Sequence, residues 1–247
     1  MNSAVVRGLL VRGMVAGLGA AVPALVFAHL VGEGPVDAAI AFESAGSHEH
    51  GEELVSRTVQ STAGLATGML VFVVAVGGIA ALVFCFALGR VGRFSAWATA
   101  ALTSLAAFVL VYLVPMLKYP PNPPAVGNPD TIGQRTALFF LMIVLTVLLG
   151  IGAVLLGRRL APGRGNGNAS VLAGLAFAAA VTVAMVFLPS GDNVPKGFPA
   201  VDLWEFRLVS LGIQAVLWTG FGLFFGYLAD RVLEPGPMAS RVPAPAA

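Results

Sequence analysis

Six stretches of nearly unbroken apolar sequence leave this 247-residue chain few folds to choose from. They lie near residues 10–31, 64–88, 96–116, 136–156, 169–188 and 208–228. A helix needs about 20 residues to cross the hydrocarbon core of a bilayer. Lipid offers no hydrogen-bond partner for a backbone N–H or C=O, so each run is predicted to close its bonds internally as an α-helix. Only 11% of the residues are charged, where soluble domains carry about 25%. So little charge cannot cover a surface in water. The expected fold is an all-α membrane protein, a six-transmembrane-helix bundle forming one domain over residues 1–232 and embedded in the lipid bilayer. A Pro- and Ala-rich tail, 233–247, is expected to be disordered. Arg7 and Arg12 ahead of the first run imitate a signal peptide. The run is too long for one and no small-x-small site follows closely, so it is read as an uncleaved helix.

The loops set the orientation. With the N-terminus cytoplasmic, the inner side holds Arg7, Arg12, Arg90, Arg93, Arg158, Arg159, Arg164, Arg231 and Arg241. The outer side holds Arg57, Lys118, Arg135, Lys196 and Arg207. The excess inside predicts that both termini are cytoplasmic, in a cell inner or plasma membrane. Acids distribute the other way, with only Asp230 and Glu234 inside. His29, His48 and His50 also fall outside or at the outer rim, so the ionisable chemistry faces the exterior.

The outer loops are expected at 32–63, 117–135 and 189–207. The second lies within a proline-rich strap, residues 115–136, whose prolines fix φ and remove donors. Pro115 and Pro189 are read as ending the helices before them, and Asp130 and Thr131 as starting the next. The three outer helix starts read EELVSRT, DTIGQRT and DLWEFRL, and in each an acid precedes an arginine by five positions: Glu52 and Arg57, Asp130 and Arg135, Asp202 and Arg207. Pro-Ala-Val recurs at 124–126 and 199–201. The pattern suggests three repeated helical hairpins. Arg57, Arg135 and Arg207 would pair with Glu52 or Glu53, Asp130, and Asp202 or Glu205, either anchoring the helix ends or ringing an outer mouth.

The first outer loop concentrates metal-ligand types. His48, Glu49, His50, Glu52 and Glu53 fall together, and His29 and Glu33 stand four apart at the end of the first helix, on one face if it continues that far. Imidazole and carboxylate together suit borderline divalent ions. The same composition also describes a solvated loop, and His29 also reads as an interfacial side chain. Inside the apolar runs polar groups are sparse, Gln214 being the largest; Gly13, Gly17, Gly220, Gly222 and Gly226 read as close helix packing. Cys85 is the lone cysteine, so no internal disulfide is available. No catalytic dyad, HExxH or intramembrane carboxylate pair is present, and no basic aromatic face for nucleic acid. The chain is therefore not read as an enzyme, and no catalytic residue or tightly bound cofactor is expected.

At KYPPNPPAVGNPDTIGQRT, and again at VDAAIAFESAG, SHEHGEELVSRTVQ and FPAVDLWEFRLVSLG, the sequence resembles the CbtA family of probable cobalt transporter subunits. The likeness spans nearly the whole chain. It implies a multi-helix membrane protein that moves a cobalt ion as substrate, linked to cobalamin genes and to a small His-bearing partner, CbtB. It places a metal role on His48 and His50. The rival expectation is a non-transporting membrane scaffold or metal sensor within a complex. A homo-oligomer stays open.

Overall fold

In a computed structural model the apolar runs are helical, and no strand occurs among the described residues, 1–46, 59, 63–123, 126, 129–191, 194–195 and 197–233. Five helices are long and apolar enough to cross a membrane: α1 (Ser3–Gly46), α2 (Leu65–Ala87), α3 (Ala96–Lys118), α4 (Ile132–Phe187) and α5 (Ala200–Leu233). Their outward side chains are apolar: Phe187 is 81% exposed, Val186 74% and Phe140 61%. A soluble fold does not leave so much grease in water, whereas lipid accepts it.

The helix limits depart from the sequence expectation in three places. The runs 136–156 and 169–188 belong to one 56-residue element, α4, so five helices rather than six separate ones are seen. The Gly- and Arg-rich turn expected between them is helical on both sides of Gly165, the one residue with non-helical backbone (φ 74, ψ 158). Lacking a Cβ, glycine takes this positive φ without clash. Pro162, three residues earlier, also weakens the helix here by removing a donor.

The second departure is α1. An outer loop was expected from residue 32, but the helix continues to Gly46, giving 44 residues or about 66 Å. An internal proline costs a helix about 3 kcal/mol, so tertiary packing must offset it. Pro35 and Ala39 are both buried, and the Phe42 ring meets that of Phe198 edge-on at 5.0 Å. The third is Pro115, which lies inside α3 instead of ending it. The turn just before it, Phe108–Leu113, widens to a π-helix. Pro115 has no N–H to give the carbonyl four residues back, and the i→i+5 pattern of a π turn bypasses that gap. Pro189 behaves as expected: Leu188 before it is extended (ψ 142).

The chain divides into two compact units, and the described residues of each are taken separately. Unit 1 comprises Met1–Leu30, Glu53–Ala107 and Ile213–Ala247. In it α1 and α2 cross backbone to backbone: a Cβ on Gly13 would stand 2.5 Å from the Gly77 carbonyl oxygen. Small residues continue the packing, Gly220 against Ala20, Gly222 against Ser104 and Gly226 against Trp97. The glycines read from sequence as packing positions therefore serve as such. Phe84, Phe221 and Phe225 fill the space between, with Phe84 and Phe225 edge-on at 5.0 Å. The Ser104 hydroxyl donates to the Trp218 carbonyl, and the Trp97 N–H donates to Asp230 Oδ1 at 2.9 Å.

Unit 2 comprises Val31–Glu52 and Phe108–Gly212. Its apolar centre is Val114, Tyr119, Met142 and Val181. Thr146, fully buried in α4, points its Oγ1 at the Leu110 carbonyl of the π turn at 2.6 Å. One turn on, a Cβ at Gly150 would strike Leu110 Cδ1 at 2.8 Å, so this side of α4 is shaped to receive the wide turn.

Candidate functional site

Among the described residues singled out from sequence, Asp130, Arg135, Asp202, Glu205 and Arg207 gather at one end of unit 2, where Lys118, Ile132 and Ala200 mark helix ends. A cap covers it, built from the α1 extension, the strap and the segment before α5. Ala39, Val126 and Phe198 are its buried members, with Phe42, Val194 and Leu203 packed on them. Val126 is the third residue of one Pro-Ala-Val and is buried; Val201, the third of the other, is 66% exposed on the first turn of α5. The two copies thus do different jobs, one plugging the cap and the other starting a helix.

Polar contacts hold the cap together. Tyr119 is buried, and its hydroxyl donates to the Pro189 carbonyl at 2.9 Å, tying the end of α3 to the end of α4. Burial raises the Tyr119 phenol above its ordinary value of 10.0. Arg207 reaches from α5 into the strap, with Nη2 donating to Asn122 Oδ1 at 3.0 Å and Nε to the Pro121 carbonyl at 3.3 Å. A proline-rich strap has carbonyls to offer but few donors, so a forked guanidinium suits it. These contacts with the strap come beside the acid pairing expected from sequence and went unforeseen, because 86 and 85 residues separate the partners.

The other charged positions lie around this cap. Asp130 is exposed in a short 3-10 turn, Pro129–Thr131, and Ile132 begins α4 directly after it. Arg135 is half-buried, and its Nε makes no hydrogen bond among the described residues. Asp202 sits in the first turn of α5, where the helix dipole favours an anion, and Glu205 is exposed one turn on. Trp204 is 61% exposed, and the Lys118 ammonium lies 5.9 Å from the Tyr119 ring centre, the aromatic-cationic dress of a membrane interface.

On α1 the helical continuation settles one question. His29, Glu33 and Asp37 are spaced four apart on an unbroken helix, so they run as a stripe along one side of it. His29 is exposed and Glu33 half-buried. The remaining metal candidates, His48, Glu49, His50, Glu52 and Glu53, and the arginine Arg57 lie outside the described residues, as does 234–247. Among the described residues no three His, Cys, Asp or Glu side chains converge as a ligand set. What the structure adds is that α1 stays helical as far as Gly46, just ahead of that segment in sequence.

A model of the CbtA family, described as a probable cobalt transporter subunit, matches residues 6–230. No curated protein and no solved structure matches the chain.

Proposed function

Because the chain belongs to the CbtA family of probable cobalt transporter subunits, we propose that it takes up cobalt(II), or a closely similar divalent cation, from the extracytoplasmic side and passes it into the membrane. The ion is gathered by His48, Glu49, His50, Glu52 and Glu53 and led along His29 and Glu33 toward the bilayer. The observation that carries this reading is the continuation of α1 to Gly46. It supports the reading because His29 and Glu33 then keep helical spacing on the chain that leads up to the His/Glu segment.

The topology of this reading is six crossings with both termini cytoplasmic. At 56 residues α4 is about 84 Å long, against a hydrocarbon core of about 30 Å, so it serves as two crossings turning at Gly165. Arg158, Arg159 and Arg164 at that turn support a cytoplasmic position for it. The chain works as a subunit beside a small His-bearing partner of the CbtB type in the cell membrane. It performs no covalent chemistry, and cobalt is its cargo, with no resident cofactor.

Uptake of labelled cobalt by vesicles holding the chain alone, and then with its partner, tests the reading. Uptake in either arrangement, reduced at least tenfold by combined His29→Ala, His48→Ala and His50→Ala, is the expected outcome. No uptake in both arrangements refutes transport. A metal-sensing or scaffolding subunit is the second reading. It is favoured by the thin polarity of the interior, where Thr99, Ser104 and Thr146 are the buried polar residues among those described. A dehydrated divalent ion needs oxygen or nitrogen ligands along its way.

A further inference from the structure

We propose that the end of unit 1 bearing Arg7, Arg90, Arg93 and Arg231 binds an anionic phospholipid. The guanidinium groups take its phosphate, and its acyl chains lie along the exposed aromatic rings between them. Lipid capture here goes beyond the transport reading and does not depend on the chain's cargo.

Four helix ends meet at this place. The start of α1 lies beside the later half of α2: a Cβ on Gly13 would stand 2.5 Å from Ala81 Cβ, and one on Gly78 3.7 Å from Leu10 Cδ1. Phe84, near the end of α2, meets Phe225 of α5 edge-on at 5.0 Å. Gly226 lies against the Trp97 ring and Asp230 accepts from the Trp97 N–H, which joins the end of α5 to the start of α3. Arg7 stands about 9 Å beyond Gly13 along α1, and Arg231 about 9 Å beyond Phe225 along α5. Arg90 and Arg93 occupy the turn 88–95 between α2 and α3, where Gly89 takes a positive φ (72).

Charge at this end is one-sided. Arg7, Arg90, Arg93 and Arg231 are exposed, and Arg12 is half-buried. Among the described residues of unit 1 the one acid is Asp230, and its Oδ1 is engaged by the Trp97 N–H at 2.9 Å. Arg90 Nη1 donates to the Phe86 carbonyl at 3.0 Å, and its guanidinium carbon lies 5.1 Å from the Phe86 ring centre. The guanidinium carbon of Arg231 lies 4.3 Å from the Tyr227 ring centre. A guanidinium over a ring uses its face; its N–H donors stay in the plane, where a fork of them matches two oxygens of a phosphate.

The rings decide for a lipid over a soluble anion. Phe86 is 71% exposed, Tyr227 52%, Phe94 49% and Trp97 42%. The Phe94 ring folds back on Gly92, where a Cβ would stand 2.5 Å from it, so ring and arginines share one short turn. A soluble phosphate would satisfy the arginines and leave the rings uncovered. A phospholipid meets both demands in one molecule, since aromatic side chains settle at headgroup depth and basic ones draw anionic headgroups.

The test uses the full chain carrying Trp204→Phe, in phosphatidylcholine bilayers with a minor share of a lipid brominated on its acyl chains. Bromine quenches the exposed Trp97 in preference to the buried Trp218. Brominated phosphatidylglycerol should quench more strongly than brominated phosphatidylcholine, and added salt should shrink the excess. Arg90→Gln, Arg93→Gln and Arg231→Gln combined should abolish it. Arg158→Gln, Arg159→Gln and Arg164→Gln, an equal loss of charge in unit 2, should keep it. Arg93→Gln alone, at an exposed turn position, should weaken the preference about fivefold, and it decides the matter if the triple variant does not fold. Equal quenching by the two lipids with all four arginines present overturns the site. So does an undiminished excess in the triple variant, or in Arg93→Gln where the triple does not fold, or an excess lost equally in the unit 2 control. Loss of the excess on adding glycerol 3-phosphate at constant ionic strength gives the arginines to a soluble phosphate and overturns the lipid assignment.

Discussion

The crossing of α1 and α2 in unit 1 makes a quantitative claim about Gly13. A Cβ there would stand 2.5 Å from both the Gly77 carbonyl oxygen and the Ala81 Cβ. Comfortable contacts between such atoms begin at about 3.5 Å, so Gly13→Ala forces the helices apart by about 1 Å. A gap of that size forfeits a quarter to a half of the dispersion energy along the crossing. Overpacking of this kind costs about 1–3 kcal/mol. Alanine returns up to about 1 kcal/mol in helix propensity, and less where the helix persists in lipid after the bundle opens. The net expectation is about 1–2 kcal/mol, a 5- to 30-fold shift toward the opened state. Gly77→Ala meets the Gly13 carbonyl in return, so the double variant should cost less than the two single changes added. Gly152→Ala is the control, because nothing lies within 4 Å of its added methyl. Reversible unfolding in mixed micelles, followed by tryptophan fluorescence, gives the comparison. If Gly13→Ala is as stable as Gly152→Ala, the backbone contact is not what holds these helices together.

Two further predictions concern the cap. Arg207→Met removes both contacts to the strap, and with hydrogen bonds to charged groups discounted for partial exposure the loss is about 1–2 kcal/mol of local closure. Tryptic cleavage after Lys118 should accelerate severalfold while global unfolding hardly moves; an unchanged cleavage rate refutes the latch. Tyr119 predicts a pH dependence. Its folded-state pKa is raised, so its contribution is fully present below about pH 10 and is lost as the pH climbs through the raised value. Tyr119→Phe should lack this alkaline loss, which the pH profile of strap cleavage reads directly.

Much of the fold was legible because lipid imposes a single rule. An apolar run of some 20 residues has to be helical, whatever its neighbours do, and every such run is. The errors lie where water or tertiary packing takes over. Gly32, Gly34 and Pro35 look like breakers on any local scale. The burial of Pro35 and Ala39 and the Phe42–Phe198 contact decide otherwise, and residues 126 and 198 are too distant in sequence to be seen from 35. The turn at Gly165 was visible as a Gly- and Arg-rich stretch, but its compression to one residue depends on φ, which composition does not report. Of the site, the residue types were readable and the wiring was not. The spacing of acid and arginine at helix starts singled out Arg207 and gave no hint that a carbonyl and an amide of the strap would be among its partners.

The bond from Trp97 N–H to Asp230 Oδ1 spans 133 residues of sequence. It means that the first turn of α3 receives a capping carboxylate from the far end of α5. The last helix also brings Phe221 and Phe225, the aromatic filling around Phe84. The start of α3 and the aromatic filling of unit 1 therefore depend on the same helix. Loss of this one carboxylate should therefore loosen the start of α3 and the end of α5 together.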